Sequence, residues 1–298
     1  MTVTTFQIDL KQNIVSFMYA IKNTQELAES VKDFDVEAPV IARKRKAGQF
    51  VLVRVSENGE RIPLTIVDSN PEAGTIRLIF QEVGKTTTEM GLLKAGDNII
   101  DVVGPLGKAT HIKDYGTVVC VGGGIGVAPV YPIAKAMKEA GNKVISIIGA
   151  RSKDLLILEK EMAAVSDQLL ITTDDGTYGR HGFVTDAIQG LIDEGVKIGH
   201  CVAIGPVVMM RAVSNLTKKY DIETQVSLNS IMIDGTGMCG GCRVSVDGKT
   251  KFVCVDGPEF DGHLVDYGEL IMRQSAYVEM EKESLERYQH ICRLGGTK

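Results

Sequence analysis

The chain of 298 residues contains no tryptophan, and aromatic residues make up only 5% of it. It has no apolar run near the roughly 18 residues that a membrane-spanning helix needs. Its start, MTVTTFQIDLKQNIVSFMYAI, lacks the basic end and the small-residue cleavage site of a secretion signal. The six cysteines are too few for a disulfide scaffold in so long a chain. We therefore expect a cytoplasmic protein whose thiols are available as metal ligands.

A strong charge of either sign is also missing, since the formal net charge is -5. This balance gives little electrostatic reason to expect nucleic-acid or membrane binding. One short basic patch, residues 43–46, is interpreted as a solvated strand end. With 44% hydrophobic residues, the chain can bury a sizeable core and is expected to divide into two or three domains.

The first half predicts an antiparallel β-barrel over residues 18–111, preceded by an N-terminal extension over residues 1–17. Short apolar segments alternate with turn sequences such as ENGE, NPEAG and KAGD, and the segments are FVLVRV, IPLTIVD, TIRLIFQEV and NIIDVVGPLG. Strands of this length and spacing are typical of a barrel. One helix, TTTEMGLLKA, is expected after Gly84.

Residues 112–224 predict a parallel, Rossmann-like α/β domain. The stretch TVVCVGGGIGVAPVYPIAKAMKEAGNKVISIIGAR is an apolar strand, a glycine turn, an amphipathic helix and a second strand. Strands QLLITTDD and HCVAIGP then alternate with helices ILEKEMAAV, FVTDAIQGLIDEG and VVMMRAVSNLTKKY. Cys120 and Cys201 fall inside these buried strands and are interpreted as small core residues.

The remainder divides into a short glycine-rich domain over residues 225–267 and a closing helix over residues 268–298. The first of these holds three of the six cysteines. The second has helical spacing and charged faces, which indicate a closing element or a contact with a partner.

The glycine turn GGGIGVAP, residues 122–129, is a candidate dinucleotide site. Glycines after a strand let the backbone approach a pyrophosphate, and the N–H groups of the following helix attract its charge. Arg151 and Ser152 follow the next strand, where an adenosine ribose lies in such units. The guanidinium can pair with a 2′-phosphate, stack on adenine or face solvent, so the choice between NAD and NADP stays open.

The segment VGKTTTEM places N–H groups, hydroxyls and a cation at a helix start. Gly84, Lys85, Thr86 and Thr87 can cradle a phosphate. An ordinary threonine N-cap explains the same residues equally well.

The segment DGTGMCGGC and the following Cys254 have the spacing of an iron–sulfur loop. Asp234, Cys239, Cys242 and Cys254 match the C-x4-C-x2-C…C pattern of a plant-type [2Fe–2S] site, with aspartate at the first ligand position. Two alternatives remain open besides free thiols: a zinc site that adds His263 to the three cysteines, and Cys292 as the fourth ligand.

The order of these motifs resembles the ferredoxin–NADP reductase superfamily. The motifs, in chain order, are IPLTI, VGKTT, GPLG, GGGIGVAP, TTDDGTYGRHGFVTD, IGPVVMMRAV and the cysteine loop. More closely, residues 18–270 resemble the electron-transfer subunits of dihydroorotate dehydrogenase and the small subunits of NADH-dependent ferredoxin:NADP oxidoreductases. The aspartate at position 234 favours the latter group.

This resemblance implies FAD in the barrel and NAD(H) on the parallel domain. The flavin is expected near Pro63, Leu64 and Thr65, with Thr65 as the hydrogen-bond partner of flavin N5, and its pyrophosphate at Gly84, Lys85, Thr86 and Thr87. The dinucleotide is expected at Gly123, Gly124, Ile125 and Gly126, at Arg151, and at Gly205 and Pro206. The chain departs from the superfamily pattern in one place, because Ile62 stands where an arginine is usual and the arginine is Arg61.

The function that the resemblance implies is that of an electron-transfer flavoprotein subunit. It would exchange hydride between NAD(H) and FAD and pass single electrons through a [2Fe–2S] cluster, as in electron bifurcation. Its partner would be a larger flavin and iron–sulfur subunit like the glutamate synthase small chain, which serves ferredoxin. The alternatives are an electron-transfer subunit of an NAD-dependent dihydroorotate dehydrogenase and, in another class, a redox-sensing binding module with structural zinc.

Overall fold

The first half of the chain forms the predicted antiparallel barrel. The protein is described by a computed structural model that covers residues 18–57 and 59–293, without the side chains of residues 291–293. The predicted N-terminal extension lies outside the described residues. The barrel elements are β1 (Tyr19–Ala28), β2 (Val31–Glu37), α1 (Pro39–Lys44), β3 (Phe50–Arg54), β4 (Ile62–Asn70), β5 (Thr75–Gln81), α2 (Lys85–Gly91), β6 (Asn98–Ile99) and β7 (Asp101–Leu106). The strands lie in the order β6-β1-β2-β5-β4-β3-β7, so that consecutive β6 and β7 form the two edges of a nearly closed sheet.

Strand β3 has two buried faces, so that it connects the barrel interior to the core around the cysteine segment. Val51 and Val53 belong to the barrel interior. Phe50 and Leu52 point outward into a second core that they share with the parallel sheet and the cysteine segment. The strand therefore reads as a continuous apolar run, because both of its faces are covered.

The second half forms the predicted Rossmann-like sheet. Its elements are β8 (Thr117–Gly123), α3 (Val127–Glu139), β9 (Lys143–Ala150), α4 (Glu159–Ala164), β10 (Gln168–Thr173), β11 (Arg180–His181), α5 (Val184–Asp193), β12 (His200–Ile204), α6 (Val207–Lys218) and β13 (Thr224–Ser227). The strands lie in the order β11-β10-β9-β8-β12-β13, all parallel. Helix α3 packs on one face of the sheet and contacts β4 of the barrel.

The cysteine segment adds a strand to this sheet, which the sequence did not indicate. A small hairpin of β14 (Arg243–Val246) and β15 (Lys249–Phe252) leads into the one-turn helix α7 (Val253–Asp256). Strand β16 (Glu259–Asp261) then pairs antiparallel with β13 and becomes the edge of the parallel sheet. The predicted domain limits stay predictions, but the cysteine segment and the sheet are joined by backbone hydrogen bonds.

The tail forms two helices rather than the single one expected. Helix α8 (Tyr267–Ser275) is capped by Asp266, whose carboxylate accepts a hydrogen bond from the Glu269 amide at 2.9 Å. Helix α9 (Val278–Arg293) follows after a short break and packs against α2 of the barrel. No helix in the described residues is both long and apolar enough to cross a membrane.

Ion pairs fix the barrel to the parallel sheet, and one of them corrects the interpretation of the basic patch. Arg45, expected at a solvated strand end, follows helix α1 and donates to Asp68 Oδ1 at 2.6 Å. The other carboxylate oxygen of Asp68 accepts a hydrogen bond from Lys135 Nζ of α3 at 3.3 Å. The patch therefore belongs to a helix end, and its third residue is a part of the contact between barrel and sheet.

Candidate functional site

Four glycines at the end of β8 have different structural roles. A side chain on Gly122 would collide with Val127, one on Gly126 with the Ile204 carbonyl, and one on Gly123 with the sulfur of Met209. Gly124 differs, because its φ is +55° and no heavy atom lies within 4 Å of the position that a Cβ would take. Only Gly124 therefore leaves its surroundings open to a ligand, while the other three permit close packing.

The turn lies where the order of the parallel strands reverses. Strand β8 has β9 on one side and β12 on the other, and ligands of open α/β sheets bind in the crevice beyond the strand ends at this point. The predicted dinucleotide residues meet at this edge, since Gly205 and Pro206 follow β12 and Arg151 follows β9. Ile125 is half-buried against the core on the barrel side of the sheet.

Met209, in the first turn of α6, also lines the crevice, although the sequence reasoning missed it. Its side chain packs against Gly123, and a Cβ on Gly205 would lie 2.8 Å from its terminal methyl group. The sequence could have indicated this residue, because Met209 comes three residues after the Gly205–Pro206 turn and therefore lies in the first turn of the helix that begins beside the strand ends.

The residues predicted to contact the flavin ring lie on β4, and their side chains point alternately to the two faces of the strand. Pro63 and Thr65 pair with Leu52 and Phe50 of β3, and therefore share their outward face. Leu64 points the other way and packs against the barrel interior, so its side chain cannot contact a flavin on the outer face. Thr65 is half-buried and is the one predicted flavin residue that presents a hydroxyl on this face.

Arg61 precedes β4 and faces an acidic side chain. Its guanidinium lies 3.8 Å from Asp101 Oδ2, an oxygen that Arg54 already contacts at 2.6 Å. The arginine is exposed, and the strand begins with Ile62 at the position where the superfamily has arginine. Its role in phosphate binding stays a prediction.

The N-cap of α2 is Gly84 and not a threonine, and Thr87 supplies the capping contacts from the third helical position. Thr87 Oγ1 accepts hydrogen bonds from the amides of Val83 and Gly84, each at 3.0 Å, and donates to the Gly84 carbonyl at 3.1 Å. Thr86 is buried, while Gly84 has no heavy atom within 4 Å of its Cβ position. The cap thus holds the backbone while the space beside Gly84 stays free for a phosphate, next to the cation of Lys85.

The cysteine loop brings two thiols together in the core. Cys242 and Cys254 are each 1% exposed, and their sulfurs lie 3.3 Å apart. The Cys254 amide also donates to Cys242 Sγ at 3.4 Å. Burial, followed by the contact with Cys242, raises the pKa of the Cys254 thiol. Metal binding at this pair must therefore displace protons.

The other two predicted ligands lie at the surface of the same loop. Cys239 is exposed, and its sulfur accepts a hydrogen bond from the Gly241 amide at 3.4 Å. The Asp234 carboxylate accepts from the amides of Thr236 at 2.8 Å and Cys239 at 3.0 Å. These bonds, the Thr236 bond first, hold the pKa of Asp234 below its usual range.

The donor set fits an iron–sulfur cluster better than zinc. Backbone amides donate to two of the sulfurs, and such hydrogen bonds tune the potential of an iron–sulfur cluster. Within the described residues, no three His, Cys, Asp or Glu side chains converge closely enough to hold a metal ion, so ligation requires side chains of the loop to turn inward. His263, the fourth ligand of the zinc alternative, instead places Nε2 2.9 Å from Thr217 Oγ1. The side chain of Cys292 lies outside the described part of the chain.

Cys120 and Cys201 are core residues, as expected. Both are buried within the central strands of the parallel sheet, on opposite faces. Burial raises the pKa of both thiols, that of Cys201 to about 12. Both thiols therefore stay protonated and unreactive at neutral pH.

A buried carboxyl at the junction of barrel, sheet and cysteine segment escaped the sequence reasoning. Glu259 Oε1 accepts a hydrogen bond from Thr110 Oγ1 at 2.5 Å, and Oε2 is buried without a hydrogen-bond partner. A Cβ on Gly48 of the barrel would meet Thr110 and Glu259 at once. Burial raises the pKa of Glu259 to about 7.

Comparison with known proteins agrees with this arrangement. Residues 120–215 match the oxidoreductase NAD-binding domain, and residues 229–266 match the iron–sulfur cluster binding domain of dihydroorotate dehydrogenase B. The chain is 51% identical over 263 residues to a Thermotoga maritima homologue of the dihydroorotate dehydrogenase B (NAD(+)) electron transfer subunit, covering 88% of this chain and 93% of that protein. It is 31% identical to that electron transfer subunit from Bacillus cereus, over 84% of this chain and 96% of the relative.

Solved structures show the same fold. A structure of NADH-dependent reduced ferredoxin-NADP oxidoreductase, studied for flavin-based electron bifurcation, matches with a TM-score of 0.87 and 49% identity, covering 91% of this chain and 98% of that one. A cytochrome P450 reductase from Amycolatopsis matches with a TM-score of 0.57 and 22% identity over 68% of this chain and 65% of that one, which shows the fold alone.

Proposed function

The chain belongs to the family of the dihydroorotate dehydrogenase B electron-transfer subunits and their homologues. From this premise we propose that it exchanges hydride between NAD(H) and FAD and passes single electrons through a [2Fe–2S] cluster. Flavin takes up two electrons together and can release them singly, whereas the cluster carries one at a time. The chain would thus convert two-electron chemistry into one-electron chemistry for a larger partner subunit.

The observation that carries the proposal is the convergence of three sites on one part of the barrel. Thr65 lies on the outer face of β4, next to β3. The turn Gly124–Gly126 contacts β5. The cysteine loop reaches the outer face of β3, because Gly235 packs against Leu52. A flavin on this face has both a dinucleotide crevice and a cluster loop as neighbours.

Each site residue has a defined task in this proposal. Gly124 and the first N–H groups of α3 receive the dinucleotide pyrophosphate. Gly205 and Pro206 bound the nicotinamide side of the crevice, and Arg151 lies on the adenosine side. Hydride transfer between nicotinamide and flavin N5 requires no acid or base, so the hydroxyl of Thr65, which lies on the outer face of β4, is assigned only to orient that atom through a hydrogen bond.

The cluster would be held by Asp234, Cys239, Cys242 and Cys254. Thiolates are soft ligands suited to iron. A carboxylate is a harder donor, so its presence should alter the reduction potential and make assembly sensitive to acid. The two amide bonds that Asp234 accepts hold its carboxylate beside the loop before any metal enters.

The partner is proposed to be a larger subunit with its own flavin and iron–sulfur centres, resembling the glutamate synthase small chain and serving ferredoxin, in the cytoplasm. Apolar side chains are exposed around Cys239, namely Ile233 (56%), Met238 (88%) and Val255 (38%). Exposed apolar patches of this kind mark protein interaction sites. Electrons would enter and leave the chain through this surface, with α8 beside it, since Arg273 of α8 donates to the Gly241 carbonyl at 3.2 Å.

An electron-transfer subunit of a dihydroorotate dehydrogenase is the second candidate, and the named relatives support it only as members of a related family. The two candidates share every site residue above and differ in the catalytic partner. The resemblance separates them at Asp234, because most dihydroorotate dehydrogenase relatives are expected to carry cysteine there.

The test is anaerobic purification of the chain with its natural partner. A bifurcating enzyme should contain flavin and iron and reduce NAD with electrons from NADPH only while ferredoxin is reduced in parallel. Oxidation of dihydroorotate without ferredoxin activity would establish the second candidate. A colourless complex that contains zinc would refute both and favour the binding module.

A further inference from the structure

A glycine next to the first predicted ligand packs closely against the barrel. Gly235 follows Asp234 and has a φ of +74°. A Cβ at this position would lie 2.7 Å from Leu106 Cδ1 and 2.9 Å from Leu52 Cδ1. Real Cβ atoms essentially never come so close, so any side chain at position 235 must move the loop or the leucines.

Leu52 has little freedom to yield, and Leu106 is partly buried. Leu52 is 1% exposed and lies in the core that also contains Cys242 and Cys254. Leu106 of β7 packs against the same core. Because protein interiors are close-packed, a displaced leucine would transmit the strain to the buried thiols.

The same leucine connects this contact to the flavin side of the barrel. Leu52 pairs with Pro63 across β3 and β4, and paired residues of antiparallel strands share a face. The face that is expected to hold the flavin and the face that holds the cysteine loop are therefore the same side of one sheet, with Leu52 between them.

We propose that the contact of Gly235 with Leu52 and Leu106 holds the cysteine loop against the flavin side of the barrel and thereby sets the rate at which electrons pass between flavin and cluster. The inference depends on the proposed function, since it requires both groups to be bound. Gly235, Leu52 and Leu106 act as positioning residues, because they determine a separation and exchange no electrons or protons themselves. Electron transfer through protein slows exponentially with separation, so a small outward shift of the loop is measurable.

The experiment compares Gly235→Ala with Gly248→Ala in the anaerobically purified full chain. Gly248, in the β14–β15 hairpin, has a φ of +67° and no heavy atom within 4 Å of its Cβ position. Both variants carry the same backbone strain of an L-residue at positive φ, but only Gly235→Ala adds the collision. After rapid mixing with NADH, flavin bleaching and the electron paramagnetic resonance signal of the reduced cluster are followed separately.

The expected result is a split between the two steps. In Gly235→Ala, flavin bleaching keeps the wild-type rate while the cluster signal develops several-fold more slowly. In Gly248→Ala both rates stay at the wild-type values. Cluster reduction at the wild-type rate in Gly235→Ala, with flavin and iron fully bound, would overturn the inference.

A second variant covers the case in which Gly235→Ala loses its iron. Adding Leu52→Val and Leu106→Val removes both δ1 methyl groups that the new Cβ meets, and valine suits a strand. This triple variant must recover iron and rapid cluster reduction, and failure to do so also overturns the inference. A wild-type chain without flavin or iron would instead refute the proposed function, so the two failures are distinguishable.

Discussion

The substitution Glu259→Gln should make the stability of the chain less dependent on pH. The pKa of Glu259 rises from 4.5 to about 7 in the folded protein because its carboxyl is buried. The folded chain therefore binds a proton that the unfolded chain has released between these two pKa values. The contribution of Glu259 to the free energy of unfolding is fully present below about pH 4.5 and is lost as the pH rises through about 7. The difference corresponds to about 3 kcal/mol.

Glutamine is neutral and can keep the hydrogen bond to Thr110, so the variant should lose this dependence without losing the contact. Unfolding by urea is measured at about pH 5 and about pH 8.5 for the wild type, Glu259→Gln and the exposed control Glu139→Gln. The wild type and the control should weaken with rising pH by up to about 3 kcal/mol more than Glu259→Gln. Equal pH dependence in all three proteins would show that Glu259 is ionised in the folded chain at neutral pH and that its burial has been misjudged.

Two other predictions concern the ligand sites. Asp234→Ala should lower the iron content, as measured by iron analysis. Asp234→Cys should keep a cluster with a shifted reduction potential, as measured by redox titration. Unchanged iron content and potential in Asp234→Ala would contradict the assignment of Asp234 as a ligand. Gly124→Ala should weaken NADH binding in a fluorescence titration because its Cβ enters the only open space at the turn, whereas Gly141→Ala, also at positive φ and in open space at the end of α3, should not. Equal affinities in these two variants would place the pyrophosphate elsewhere.

The sequence was informative where chemistry depends on local order. The iron–sulfur binding segment could be recognised because ligand spacing within one loop is a property of the chain itself. The assignment of Asp234, Cys239, Cys242 and Cys254 as its ligands stays a prediction. The turn after β8 and the alternating strands of both sheets follow from short-range apolar patterns in the same way.

Long-range packing explains what the sequence could not reveal. Nothing around Glu259 indicates burial, because its carboxyl is enclosed by Thr110 and Gly48, which lie far away in the chain. Likewise, the sequence could not show that Met209 packs against Gly123. The direction of the Leu64 side chain, which packs against the barrel interior, also follows only from the pairing of β4 with β3.

The pairing of distant segments was equally hidden. Strand β16 is three residues long and too short for a periodic pattern, so its place at the edge of the parallel sheet depends on β13. The tail has continuous helical spacing in the sequence, so the pattern does not indicate its division into α8 and α9. In the structure, α9 packs against the distant helix α2.

The central claim is that one chain holds a flavin and a cluster ligated by three cysteines and one aspartate, close enough for electrons to pass. Its most direct test is electron paramagnetic resonance of the anaerobically purified chain after reduction by NADH, together with flavin and iron analysis. The account predicts about two irons per chain and a reduced-cluster signal that changes in Asp234→Cys. Absence of iron, or a signal unaffected by substitution at residue 234, would contradict it.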